Sequence, residues 1–130
     1  MKKQLITIVM LTLSNLAIGQ GKFELKNPPA TATLLAEGFI STSINERDFA
    51  LSADGTEVYY TIATPQSTFQ TIVFSKKDKN GKWSGPEVVS FAGKFSDLEP
   101  ALSADGKKLY LASNRPLEGS NPKDFDIWLV

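Results

Sequence analysis

The chain has 130 residues, 42% of them hydrophobic and 10% aromatic, with 14 Lys and Arg against 14 Asp and Glu and neither histidine nor cysteine. Without those two residue types there is no Ser-His-Asp or Cys-His nucleophile system, no histidine acid–base catalysis, no ordinary zinc site and no disulfide framework. The balanced charge lacks the basic stripe that nucleic acid requires, and the densest basic cluster, Lys76-Lys77-Asp78-Lys79, is broken by an acid.

Residues 1–19 read as a secretory signal peptide. Lys2 and Lys3 form a positive n-region, Leu5 to Ile18 is mostly apolar, and Ala17-Ile18-Gly19 places small residues at the cleavage positions. An uncleaved anchor is the rival reading, but the apolar run is shorter than the ~20 residues that span a bilayer. Loss of Lys2 and Lys3 on cleavage leaves 12 basic and 14 acidic residues, enough chain for one domain with a modest core. Export without cysteine suits a bacterial periplasm or cell surface. Residues 20–33, with Asn27-Pro28-Pro29 at their centre, read as an extended linker.

From Leu34 onward, short β-branched and aromatic runs alternate with Gly, Pro, Asn and Asp, and no helical apolar spacing is sustained. The expectation is an all-β domain over residues 34–130. A first strand is expected near Leu34–Ile40. Asp48 to Leu51 makes the next, Ser52-Ala53-Asp54-Gly55 a turn, and Glu57 to Ile62 a strand with Val58, Tyr60 and Ile62 on one face. Serine opens a type I turn and glycine closes it in a left-handed conformation, so Ser52, Asp54 and Gly55 are explained without chemistry. Thr71 to Ser75 follows, then the turn Asp78-Lys79-Asn80-Gly81, then Glu87 to Phe91. That turn starts with a calcium-loop rhythm but lacks the later acidic ligand, whereas Asn-Gly is itself a strong hairpin signal.

The pattern then returns. Ala50-Leu51-Ser52-Ala53-Asp54-Gly55-Thr56-Glu57-Val58-Tyr59 reappears 51 positions later as Ala101-Leu102-Ser103-Ala104-Asp105-Gly106-Lys107-Lys108-Leu109-Tyr110, seven of ten identical. A repeat of this length implies stacked copies of one supersecondary unit. Ser103, Asp105 and Gly106 form the second turn, Glu99 to Leu102 and Lys108 to Ala112 its flanking strands. Asp126 to Leu129 matches Thr71 to Phe74 at an offset of 55. The predicted architecture is a partial β-propeller of about two four-stranded antiparallel blades, the second incomplete, with repeats near 46–97 and 97–130.

The run Glu99-Pro100-Ala101-Leu102-Ser103-Ala104-Asp105-Gly106-Lys107-Lys108-Leu109-Tyr110-Leu111-Ala112-Ser113-Asn114-Arg115, followed by Asp124-Phe125-Asp126-Ile127-Trp128, resembles the TolB-type WD-like β-propeller repeat over roughly residues 37–130. Ala53 and Ala104 stand where that family has a turn proline, Phe49 stands opposite Pro100, and the first copy lacks a Ser-Asn-Arg segment. The resemblance implies an exported, non-enzymatic propeller that binds a protein, peptide or glycan of the cell envelope, with no cofactor. The alternative is the N-terminal propeller part of an exported peptidase or glycosidase whose catalytic residues lie beyond Val130. Closed propellers use roughly four to eight blades, so a piece of a longer propeller is expected; completion by homo-oligomerisation through open strand edges is the second possibility.

Carboxylates are the remaining candidates for chemistry. Glu46 and Asp48 recur as Asp97 and Glu99, and Asp126 precedes Ile127-Trp128. Paired acids can flank a glycosidic bond, but recurrence at matching positions favours a structural task, such as accepting hydrogen bonds from backbone or from Arg47 or Arg115. Glu46, Asp48, Asp97, Glu99, Arg115 and Asp126 are kept as possible loop contacts to a ligand. Trp83, Trp128, Tyr59, Tyr60 and Tyr110 can stack on a sugar or peptide, yet aromatics on strands more often fill the space between sheets.

Overall fold

The computed structural model describes residues 29–130; the signal-peptide reading of 1–19 and the linker reading as far as residue 28 lie outside them. Among the described residues seven strands form two antiparallel sheets. The first sheet runs β1 (Asn45–Leu51), β2 (Glu57–Ala63), β3 (Gln70–Lys76) and β4 (Glu87–Val88) in chain order, and the second runs β5 (Asp97–Leu102), β6 (Leu109–Ser113) and β7 (Asp126–Leu129). The all-β expectation holds as two sheets, of four strands and three.

Each hairpin follows from its turn chemistry. The Gly55 amide donates to the Ser52 carbonyl at 2.9 Å, and Asp54 Oδ1 accepts from the Ser52 hydroxyl at 2.6 Å and the Thr56 amide at 3.0 Å. In the second sheet the Gly106 amide donates to the Ser103 carbonyl at 2.9 Å, and Asp105 Oδ1 accepts from the Ser103 hydroxyl at 2.6 Å and the Lys107 amide at 3.2 Å. Gly55 and Gly106 have φ of 69° and 67°, a region that a side chain disfavours. The repeat extends to an irregularity outside the identical decapeptide. The β1–β2 register shifts between Arg47 and Ala50 and the β5–β6 register between Leu98 and Ala101, with Asp48 and Glu99 both at φ 57°. Each is a β-bulge.

Side chains alternate between the two faces of each sheet. On the first sheet Val58, Tyr60 and Val73 share one face and are buried with Ile40 and Trp83, while Leu35, Phe39 and Leu51 pack against them. Tyr59, Ile72 and Phe74 share the opposite face and meet Leu111 and Trp128 of the second sheet, together with Val89, Phe91 and Ala92 of the connection. Polar links also cross the interface: the Glu99 amide donates to Thr61 Oγ1 at 3.2 Å, the Gln70 amide to Ser96 Oγ at 3.2 Å, and Arg47 of β1 lies 3.7 Å from the Glu99 carboxylate of β5. Register matches the offset of 55, since Ile72 pairs with Thr61 and Phe74 with Tyr59, as Ile127 pairs with Ala112 and Leu129 with Tyr110.

Three boundaries differ from expectation. Leu34–Ile40 is not a strand: the Phe39 and Ile40 amides both donate to the Ala36 carbonyl at 2.9 Å, and Ala36 at φ 46° turns the chain so that Phe39 and Ile40 plug the first sheet. The fourth strand stops at Val88, because the Ala92 amide turns back onto the Val89 carbonyl at 3.0 Å. The opening strands begin earlier than expected, at Asn45 and Asp97, continuing through their bulges.

Candidate functional site

Ser113-Asn114-Arg115 leaves the end of β6 and ties the following loop to the connection between the sheets. Ser113 Oγ accepts from the Arg115 amide at 3.2 Å and from Arg115 Nε at 2.8 Å. Arg115 Nη2 then donates to Asp97 Oδ1 at 2.5 Å and to the Phe91 carbonyl at 3.1 Å. Asn114 Oδ1 accepts from the Ser96 amide at 2.9 Å, and the Asn114 carbonyl accepts from the Lys123 amide at 2.8 Å, which closes the loop. The Arg115 guanidinium also lies 5.5 Å from the Trp128 ring centroid, within cation–π range.

This pinned loop borders an open recess of about 340 Å³ lined by Arg115, Pro116, Leu117, Glu118, Lys123, Asp124 and Asp126. Both signs of charge face it, and Leu117, 90% exposed, supplies an apolar contact. Arg115 and Asp126, singled out in the sequence, thus meet at one recess, whereas Lys123 and Glu118 carry no sequence signal beyond lying in a polar loop.

The other acids lie elsewhere. Asp97 is fully buried, paired with Arg115, and does not line the recess. Asp48 Oδ2 lies 2.9 Å from Arg47 Nε, and Arg47 Nη2 reaches within 3.7 Å of Glu99 Oε1, so one guanidinium lies between the two bulge acids. Glu46 accepts from the Thr42 amide at 3.2 Å and from the Thr42 hydroxyl. Asp78 Oδ1 accepts from the Asn80 and Lys82 amides at 2.8 and 2.9 Å, as a hairpin turn does. Among the described residues no group of three or more Asp or Glu side chains is arranged to hold a metal ion.

Electrostatics single out the turns. The Ser52 hydroxyl, then Thr56, holds the Asp54 carboxyl below its ordinary range, and Ser103, then the Lys107 amide, does the same for Asp105. The Lys82 amide lowers Asp78, and the Lys76 ammonium, 2.6 Å away, lowers Glu57. Burial, with the neighbouring Glu57 carboxylate, pushes the Tyr59 phenol up to about 12. Each cause is a local structural partner, and none of these groups borders the recess.

Of the aromatics, Tyr60 and Trp83 lie in the core of the first sheet, with Trp83 tilted at 6.2 Å to Phe39 and capped by Lys77 Nζ at 4.8 Å. Tyr59 stacks on Phe74 at 6.0 Å, and Trp128 is packed between the sheets. Tyr110 is the exception among the five Trp and Tyr residues singled out in the sequence, 39% exposed on the outer face of the second sheet. No protein-family model, curated protein or solved structure matches the chain.

Proposed function

We propose that the two sheets are blades of a TolB-type β-propeller, exported on the signal in residues 1–19, and that the protein is a non-enzymatic binding module of the cell envelope. Support for the blade reading comes from the two meanders, which share turn, bulge and pairing register and stack with one face of the first against the opposite face of the second. Support for binding comes from the recess after β6, where a loop pinned by Ser113, Asn114 and Arg115 presents Lys123, Asp124, Glu118 and Asp126 to solvent. That pinning is the observation that carries the reading: a loop anchored at its root presents charges with little ordering cost on binding. A short peptide carrying both charge signs fits this lining best.

The test is a screen of the purified chain against peptide and glycan arrays, repeated with the charge reversals Lys123→Glu and Asp124→Lys. Peptide ligands whose binding is weakened or re-specified by both reversals support the proposal. Binding indifferent to both reversals, or ligand turnover by the purified chain, overturns it.

A further inference from the structure

A cleft of about 370 Å³ lies beside β4 and shares no lining residue with the recess after β6. The rings of Tyr59, Phe74 and Phe91, two valines, Ser90 and Glu87 line it. Register builds it: Tyr59 pairs with Phe74 and Phe74 with Glu87, so two rings and a carboxylate stand in one row on one face of the first sheet. The two rings are stacked, 6.0 Å between centroids and 22° between planes. The walls are held by bonds of their own. The Tyr59 hydroxyl donates to Glu57 Oε2 at 3.0 Å, and Lys76 Nζ donates to the other Glu57 oxygen at 2.6 Å. Phe91 is fixed through its carbonyl, which accepts from Arg115 Nη2 at 3.1 Å, and by the turn in which the Ala92 amide donates to the Val89 carbonyl at 3.0 Å. A cleft formed in advance loses little freedom on binding.

Charge selects the occupant. Glu57 is neutralised by Lys76, and no Lys or Arg lines the cleft. The Glu87 carboxylate is exposed at its rim and has no hydrogen-bond or ion-pair partner among the described residues. Aromatic rings attract cations through their negative faces, so an uncompensated acid beside three rings calls for a cation with an apolar body. A primary ammonium has three N–H donors to satisfy. The side chains offer it only Glu87 and Ser90, and a donor left unpaired against the rings is costly. A trimethylammonium group has no N–H and turns methyl groups to the walls. A phosphate or carboxylate next to the nitrogen would meet Glu87 with no cation to offset it. We infer that the cleft binds a small quaternary ammonium compound lacking a neighbouring anion, its methyl groups against Tyr59, Phe74 and Phe91 and its charge beside Glu87. This does not rest on the recess after β6 or on the ligand proposed for it.

Choline titrated into the purified chain, with binding read from NMR chemical shifts, tests it. The expected result is saturable binding in which the ring protons of Tyr59, Phe74 and Phe91 shift. The uncharged isostere of choline, with a tert-butyl group in place of the trimethylammonium, is expected to bind about tenfold more weakly. Ethanolamine, the primary ammonium of the same skeleton, and phosphocholine, which adds the anion, are each expected to be weaker than choline. Glu87→Gln removes an exposed charge that holds no part of the fold, and is expected to weaken choline binding by roughly threefold or more. Glu37→Gln, at an exposed acid elsewhere, is expected to leave it unchanged. Absence of saturable shifts at the three rings overturns the inference. So does an uncharged isostere, ethanolamine or phosphocholine that binds as tightly as choline, or a Glu87→Gln chain that keeps the parent affinity.

Discussion

Arg115 Nη2 lies 2.5 Å from Asp97 Oδ1, 18 residues apart in sequence, with the carboxylate fully buried and the guanidinium side chain 17% exposed. Asp97 opens β5 and Arg115 follows β6, so the pair fastens the start of the second sheet to the root of the recess loop. Breaking a buried pair from one side costs more than the pair is worth, because the remaining charge is stranded without water. Asp97→Ala is expected to lower unfolding stability by about 3–5 kcal/mol. The double change Asp97→Leu with Arg115→Met is expected to cost much less than the sum of its single changes, a coupling that denaturant unfolding of the four proteins measures.

Asp48 and Glu99 offer a test of the bulges. Both hold φ at 57°, where an L-residue with a β-carbon is disfavoured by roughly 1–2 kcal/mol. Glu99 is the cleaner site, because its side chain is 57% exposed and its ion pair with Arg47, at 3.7 Å, is long, so little is lost with it. Glu99→Gly is expected to raise the thermal midpoint, with a gain of about 0.5–1 kcal/mol, and Glu99→Val to lower stability by at least as much. Equal and opposite shifts at Asp48 are not expected, since Asp48 Oδ2 also holds Arg47 at 2.9 Å.

What the sequence reveals and what it conceals divide along physical lines. The turns are local: Ser52-Ala53-Asp54-Gly55 and its copy contain every atom their hydrogen bonds need, and the structure places those bonds where the residue types require. Alternation in β2 and β6 likewise sorts Val58 and Tyr60 from Tyr59, and Leu109 and Leu111 from Tyr110, without knowledge of partners. Leu34–Ile40 misleads because an apolar run broken only by Glu37 and Gly38 does not reveal a turn held by the Ala36 carbonyl, and its burial depends on Trp83, far along the chain. The role of Asp97 is legible in part: recurrence of acids at matching positions points to a structural partner such as Arg115, and the two are paired, but that the carboxylate is fully buried depends on Arg115 folding back over it from beyond β6. The recess depends on a loop whose path is set by Asn114 bonding back to Ser96, a pairing that periodicity does not encode.

The repeated turn acids make stability depend on acidity in a direction that can be worked out. Asp54 and Asp105 have folded carboxyls held below the ordinary value of 3.8, chiefly by the Ser52 and Ser103 hydroxyls. A depressed folded value means that the unfolded chain binds protons first as pH falls, so the contribution of each turn is fully present above the unfolded value and is lost as pH drops through the folded one. Asp78, held low by the Lys82 amide, and Glu57, held low by Lys76, add to the same trend. Urea midpoints measured from neutral pH downward are expected to be level and then to fall below about pH 5. Replacing both Asp54 and Asp105 by Asn should lower the midpoint at neutral pH and flatten the acid limb, because an amide oxygen still accepts the turn hydrogen bonds, more weakly, and no longer titrates. An acid limb as steep in the double variant as in the parent would place the acid sensitivity elsewhere and remove the turns from the account.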